Sequence, residues 1–201
     1  MTELQQRAGN ISRRAFIGAA AGLGFAGFTA GTGVAGAKDD ASIAFMKKVG
    51  RDLLDAHRQG TVPAFLEVIE RYADVPEIAL YSLGQYKTSL GVAQRPRYFH
   101  GVAVFMSRYF AEQSREYKIA KYEVGDAQTD GTDVLVSSRI YLMSGQTYNV
   151  TWRVVSRGKT MKIADCKVLG FSMVYMQRGI FTSYLSKRKG DLLQLMNALE
   201  G

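Results

Sequence analysis

The stretch from Trp152 to Phe181, WRVVSRGKTMKIADCKVLGFSMVYMQRGIF, holds two extended segments, the turn between them and the start of a helix. Before Arg157-Gly158-Lys159 the residues alternate. Tyr148, Val150, Trp152 and Val154 fall on one face, and Thr147, Asn149, Thr151 and Arg153 on the other, the two-residue period of a strand. A glycine between two basic residues marks a hairpin. Beyond it, strict alternation sets Met161, Ile163 and Asp165 against Lys162, Ala164 and Cys166, up to Gly170, where the chain is expected to leave the sheet. From Met173 the spacing changes. Apolar residues recur at 173, 176, 180 and 184, with a second row at 174, 181 and 185, which is helical.

Upstream, Tyr117 to Ala127 reads as a first strand, with Tyr122 and Val124 on one face. After Asp130-Gly131, Val134, Val136, Ser138, Ile140 and Leu142 oppose Leu135, Ser137, Arg139 and Tyr141. Ser144-Gly145 then turns the chain into the Tyr148 strand. Short turns make sequential strands antiparallel neighbours, so these residues predict an α+β domain: a four-stranded antiparallel meander covered by helices. The helices precede and follow it. Ala41 to Arg58 places Ile43, Met46, Val49 and Leu53 on one face and is closed by Gly60. Thr61 with Pro63, and Asp74 with Pro76, are start signals for two short helices. Pro96 opens the longest one, to about Arg115, with a broad stripe of Tyr98, Phe99, Val102, Phe105, Met106, Tyr109 and Phe110. Asp191 caps a last helix that carries Leu192, Leu195, Met196 and Leu199 on one side.

The first 37 residues read separately. Ser12-Arg13-Arg14-Ala15-Phe16-Ile17 is a twin-arginine export motif, a Gly- and Ala-rich apolar run follows to Val34, and Ala35-Gly36-Ala37 offers an A-x-A cleavage site. Seven glycines between Ala15 and Ala37 make that run a poor membrane span. Residues 1–37 are therefore expected to be a Tat-type leader, and residues 38–201 one domain in the periplasm. The whole chain carries +8. Removing three arginines and one glutamate with the leader leaves 23 basic against 17 acidic residues, a charge of +6. Such a surface favours anionic membrane headgroups or an acidic partner. Nucleic acid is a poor candidate, because the basic residues are scattered rather than gathered into a stripe.

Polar machinery is sparse. With two histidines, His57 and His100, and one cysteine, Cys166, the chain shows no G-x-S-x-G, H-E-x-x-H or paired-cysteine spacing. No metal site or cofactor is expected. Cys166 has no disulfide partner and reads as a buried, apolar-like thiol.

The run K-I-A-D-C-x-V-x-G-x-S-M-V-x-x-x-R-x-x-F, from Lys162 to Phe181, resembles the signature of the MlaC (toluene-tolerance) family of periplasmic phospholipid-binding proteins. Lys162, Ile163, Asp165, Gly170, Ser172, Arg178 and Phe181 match it. Met161 stands where the family has Trp, Cys166 for Val, Leu169 for Glu, Met176-Gln177 for Asn-Tyr, and Ile180 for Gln. Leu83-Gly84-Gln85-Tyr86 resembles the family's L-G-x-Y/W segment. The resemblance implies a cone-shaped, NTF2-like α+β fold with an apolar cavity between sheet and helices. It also implies a monomeric, non-enzymatic carrier that exchanges phospholipid between an outer-membrane lipoprotein complex and an inner-membrane MCE/ABC transporter assembly, maintaining outer-membrane lipid asymmetry. The expected tail contacts are Phe99, Val102, Phe105, Met106, Val134, Val136, Tyr148, Val150, Trp152, Met161 and Ile163, with the headgroup at the mouth near basic side chains such as Arg139 or Arg178. A second reading, suggested by Met161, Leu169, Met176 and Ile180, is a carrier of a hopanoid or other polycyclic lipid. A third, from another class, is a pocket enzyme with Asp126 or Asp165 as general base.

Overall fold

The computed structural model describes Leu4 and residues 36–201; apart from Leu4, Gly36 and Ala37, the expected leader lies outside the described residues. Helix α1 runs Ala37–Gln59, with Asp39 and Asp40 in its first turn, where carboxylates complement the helix dipole. It begins four residues ahead of the start expected at Ala41. Thr61 caps α2, Val62–Tyr72, its hydroxyl accepting from the Ala64 N–H at 3.4 Å. Asp74 caps α3, Val75–Ser82, through the Glu77 N–H at 3.2 Å. Two short 3₁₀ turns, Gly84–Ser89 and Val92–Gln94, lead into α4, Arg95–Glu116.

The sheet follows as an antiparallel meander of β1 (Ile119–Asp130), β2 (Asp133–Leu142), β3 (Thr147–Arg157), β4 (Thr160–Val168) and β5 (Phe171–Ser172). It has five strands, not the expected four. Leu169 and Gly170 both hold positive φ, 52° and 86°, which is what a two-residue hairpin turn of matching twist needs. They fold the chain back so that Lys167 pairs with Ser172 and Val168 with Phe171. A two-residue strand is too short to show alternation, so it left no periodic mark in the sequence. Ser172 then caps α5, Met173–Ser186, by accepting from the Tyr175 N–H at 3.0 Å. Helix α6, Leu192–Glu200, starts at Asp191, whose Oδ1 accepts from the Leu193 and Gln194 N–H groups.

Register in β4 departs from strict alternation. Val154 faces Ile163, but Arg153 faces Asp165, so Ala164 is an extra residue in a β-bulge. Beyond the bulge the faces exchange. Cys166 pairs with Trp152 and Val168 with Val150, so the inner face reads Met161, Ile163, Cys166, Val168, and Asp165 falls on the other.

Two packed regions result. One lies on the sheet and joins Met46 and Val49 of α1, Phe65 and Tyr72 of α2, Val134 and Val136 of β2, and Val150, Trp152 and Val154 of β3. The other lies among helices alone, with Tyr98, Val102 and Phe105 of α4 against Phe181 and Leu185 of α5 and Leu195 and Leu199 of α6; Leu4 is buried there too. Phe105 and Phe181 meet edge to face at 5.2 Å. Helix α5 thus spends most of its apolar surface on other helices, and only its first turns approach the sheet.

Candidate ligand cavity

Helix α4 belongs to both packed regions, and its Met106, Tyr109 and Phe110 face the space between them. That space is hollow. One lobe of about 140 Å³ lies between α1, α2, α4 and α5 and the inner face of β3 and β4, lined by residues including Val49, Val68, Phe105, Met106, Trp152, Ile163 and Met176. A second, of about 170 Å³, runs over the sheet towards the β4–β5 turn past Ile140, Tyr148, Val150, Val168, Leu169 and Phe171. A third, of about 140 Å³, lies under α1 beside Leu53, His57, Ile119 and Tyr122. Phe110 and Trp152 wall all three. An apolar cavity of roughly 150 Å³ stays dry and accepts benzene, so each lobe has room for a short hydrocarbon segment, and together they form a branched path for a longer one.

Few polar groups enter this space. Trp152 Nε1 donates to Ser138 Oγ at 2.8 Å, and Ser138 Oγ donates on to the Val150 carbonyl at 3.3 Å. Among the described residues the enclosed Tyr122 hydroxyl has no partner within hydrogen-bond geometry, and burial, partly offset by the nearby Ser138 and Trp152, pushes its pKa up to about 12. Cys166 borders the first two lobes, and burial pushes its thiol from 9.0 up to about 12. A thiol held neutral is a weak nucleophile. His57 Nε2 accepts from the Ile119 N–H at 3.2 Å, tying α1 to β1, and burial holds its pKa below the usual value.

Of the positions expected to meet a ligand, Phe105, Met106, Trp152 and Ile163 line the first lobe, and Tyr148, Val150 and again Trp152 the second. The other five stand outside these walls. Val134 and Val136 are buried under α1, in the solid part of the sheet-side core, and Val102 in the helical core. Met161 lies at the sheet margin with its sulfur 4.0 Å from Ser42 Oγ. Phe99 faces a surface groove with His100 and Pro76. Tyr109, Phe110, Cys166, Val168, Met173 and Met176 are among the further wall residues that were not named as tail contacts. Tyr109 and Phe110 lay in the aromatic stripe, while Cys166 and Val168 were hidden by the bulge. Of the carboxylates considered as bases, Asp126 is exposed on β1, whereas Asp165 borders the first lobe with its Oδ1 accepting from the Val174 N–H at 3.2 Å. Among the described residues no group of three or more His, Cys, Asp or Glu comes together as metal ligands, and no helix is long and apolar enough to cross a membrane.

The family model for MlaC protein matches residues 40–201. The chain belongs to the MlaC family. Among solved structures, this MlaC chain is similar to the phospholipid-binding protein from Ralstonia solanacearum in complex with a phospholipid, with a TM-score of 0.63 and 19% identity, covering 78% of this chain and 94% of that one. At that identity the likeness shows a common fold. No curated protein matches the chain.

The MlaC signature residues have structural work here. Lys162 Nζ donates to the carbonyls of Glu70 and Arg71, Asp165 and Ser172 cap the start of α5, Gly170 makes the β4–β5 turn, and Phe181 is fully buried. Of the departures from the signature, Cys166, Leu169, Met176, Gln177 and Ile180 line the cavity, as do the matching Ile163 and Asp165, whereas the departure at Met161 stands outside these walls.

Proposed function

We propose that this chain is a periplasmic lipid carrier that holds acyl chains of a phospholipid in the branched cavity and exchanges that lipid between membrane-bound complexes. The observation that carries the reading is the apolar hollow walled by Trp152 and Phe110 in an MlaC fold. Filling one lobe with a roughly six-carbon stretch would contribute on the order of 5 kcal/mol, taking about 0.8 kcal/mol per buried methylene. Longer tails run from lobe to lobe past Phe110 and Trp152, which wall all three. Neither the gathered side chains nor the depressed reactivity of Cys166 suggests a reaction, and binding and release suffice for a carrier. In this reading residues 1–37 direct export by the Tat route and residues 38–201 form the monomeric carrier. An outer-membrane lipoprotein complex and an inner-membrane MCE/ABC assembly are its partners, and lipid asymmetry of the outer membrane is the outcome.

Organic extraction of the purified protein followed by mass spectrometry tests the reading. A glycerophospholipid near stoichiometric amount is expected. A polycyclic lipid in its place would favour the hopanoid alternative, and folded, delipidated protein that takes up no lipid from vesicles would contradict the carrier reading.

A further inference from the structure

The cavity reaches the surface where β4 lacks a neighbouring strand. At one end of β4 the Asp74 N–H donates to the Ile163 carbonyl at 2.8 Å and Ala73 bridges to Ile163; at the other end β5 pairs with Lys167 and Val168. Between Ile163 and Lys167 no strand among the described residues covers that edge, and α3 and α5 flank a gap. Ile78, Asp165 and Val174 belong at once to the wall of the first lobe and to that of an outer vestibule of about 400 Å³. They form its neck.

Chemistry changes across this neck. The vestibule is lined by Glu77, Arg153, Lys167, Tyr81 and Tyr175 among others. Most of its charge is already matched. Arg153 is held by Glu77 at 2.6 Å and Asp133 at 3.0 Å, and the second Glu77 oxygen takes Arg157. Two groups are left over. Among the described residues Lys167 Nζ has neither hydrogen bond nor ion pair, and Asp165 uses only Oδ1, on the Val174 N–H, leaving Oδ2 without a partner. They project two residues apart on the same face of β4, about 7 Å along the strand. Tyr81 and Tyr175, 43% and 67% exposed, stand beside them, the side chains suited to a site apolar at one end and wet at the other. A purely anionic group would meet one free cation and one free carboxylate oxygen. A neutral headgroup would use neither. A group bearing both signs uses both. The mouth at the β4–β5 turn, by contrast, is walled by Leu142, Leu169 and Phe171, with no charged side chain for a headgroup.

We propose that the vestibule between α3 and α5 receives a zwitterionic phospholipid headgroup, its phosphate against Lys167 and its ammonium against Asp165, while the acyl chain passes the neck into the cavity. This assignment rests on the lipid-carrier reading and adds to it a headgroup class and a portal.

The test uses delipidated protein equilibrated with vesicles of equal phosphatidylethanolamine and phosphatidylglycerol carrying the same acyl chains, with the bound lipids quantified by mass spectrometry. Exposed ion pairs are individually weak, so a three- to fivefold excess of phosphatidylethanolamine is expected for the wild type. Asp165→Asn keeps an Oδ1 acceptor for the α5 cap and brings that ratio close to one. Lys167→Glu, at an exposed position with no bond to lose, lowers uptake of both lipids and of phosphatidylglycerol more, and it carries the test should the Asp165 variant not fold. A wild-type ratio at or below one, or a ratio that neither substitution moves, overturns the headgroup assignment while leaving the carrier reading intact. Folded wild-type protein that takes up neither lipid overturns both.

Discussion

Cys166 shows how one residue's surroundings set its chemistry. Its thiol faces hydrocarbon on the cavity side, and burial, with the Asp165 charge next to it, raises the pKa from 9.0 to about 12. In the unfolded chain the same thiol ionises near 9.0. The folded state therefore holds its proton more tightly, nothing is lost below pH 9, and stability falls as pH rises from 9 towards 12, by about 1.4 kcal/mol per pH unit at most. Cys166→Ala removes this dependence. Denaturant unfolding of both proteins between pH 7 and 11 should give parallel stabilities up to about pH 9 and a steeper decline for the wild type above it; parallel curves throughout would mean that the thiol is not enclosed. A lone cysteine in an apolar strand was expected to be buried; Cys166 is half-buried, with its thiol turned to the apolar wall. Its face was not legible, because period-two counting cannot register a bulge, and Ala164 carries no signature that marks it as the extra residue.

Elements were legible where a chemical signal fixes their ends. Thr61, Asp74 and Asp191 are side-chain caps that the sequence announces, and α4 runs Arg95–Glu116 against an expected Pro96 to Arg115. The fifth strand was not legible, since the turn at Leu169 uses a branched apolar residue at positive φ where glycine or asparagine is the usual signal. A close approach between elements was equally silent. Gly50 lies in the middle of α1, where glycine ordinarily costs up to about 1 kcal/mol relative to alanine. Here a Cβ would run into the ring of Tyr122 on β1. Gly50→Ala should accordingly destabilise the protein by about 1–3 kcal/mol, the cost of overpacking a filled contact. Thermal or denaturant unfolding checks the sign, and a gain in stability would mean that α1 and β1 are not this closely packed.

At the scale of the whole molecule, the meander, its antiparallel order and the helical cover follow from alternation, turns and caps, and the family signature in Lys162–Phe181 pointed to the same architecture. Whether the space between the layers is filled follows from none of these. An apolar stripe such as Tyr98 to Phe110 reads the same over a solid core or a hollow one. The structure divides it: Tyr98 and Val102 pack solidly against α5 and α6, while Met106, Tyr109 and Phe110 face open space. The expected contacts Val134 and Val136 on β2 lie outside the cavity walls, since they are buried in the sheet-side core with α1. The hollow supports the proposed carrier role, and the portal at the β4 edge supports a ligand with a polar end. Trp152, the only tryptophan in the chain, stands in the wall common to all three lobes and reports on what enters them. The most direct measurement is its fluorescence as delipidated protein takes up phospholipid brominated along the acyl chain. Strong quenching, absent with the unbrominated lipid, is the predicted result; uptake of the brominated lipid with Trp152 emission unchanged would place the tails elsewhere and contradict a lipid-filled interior.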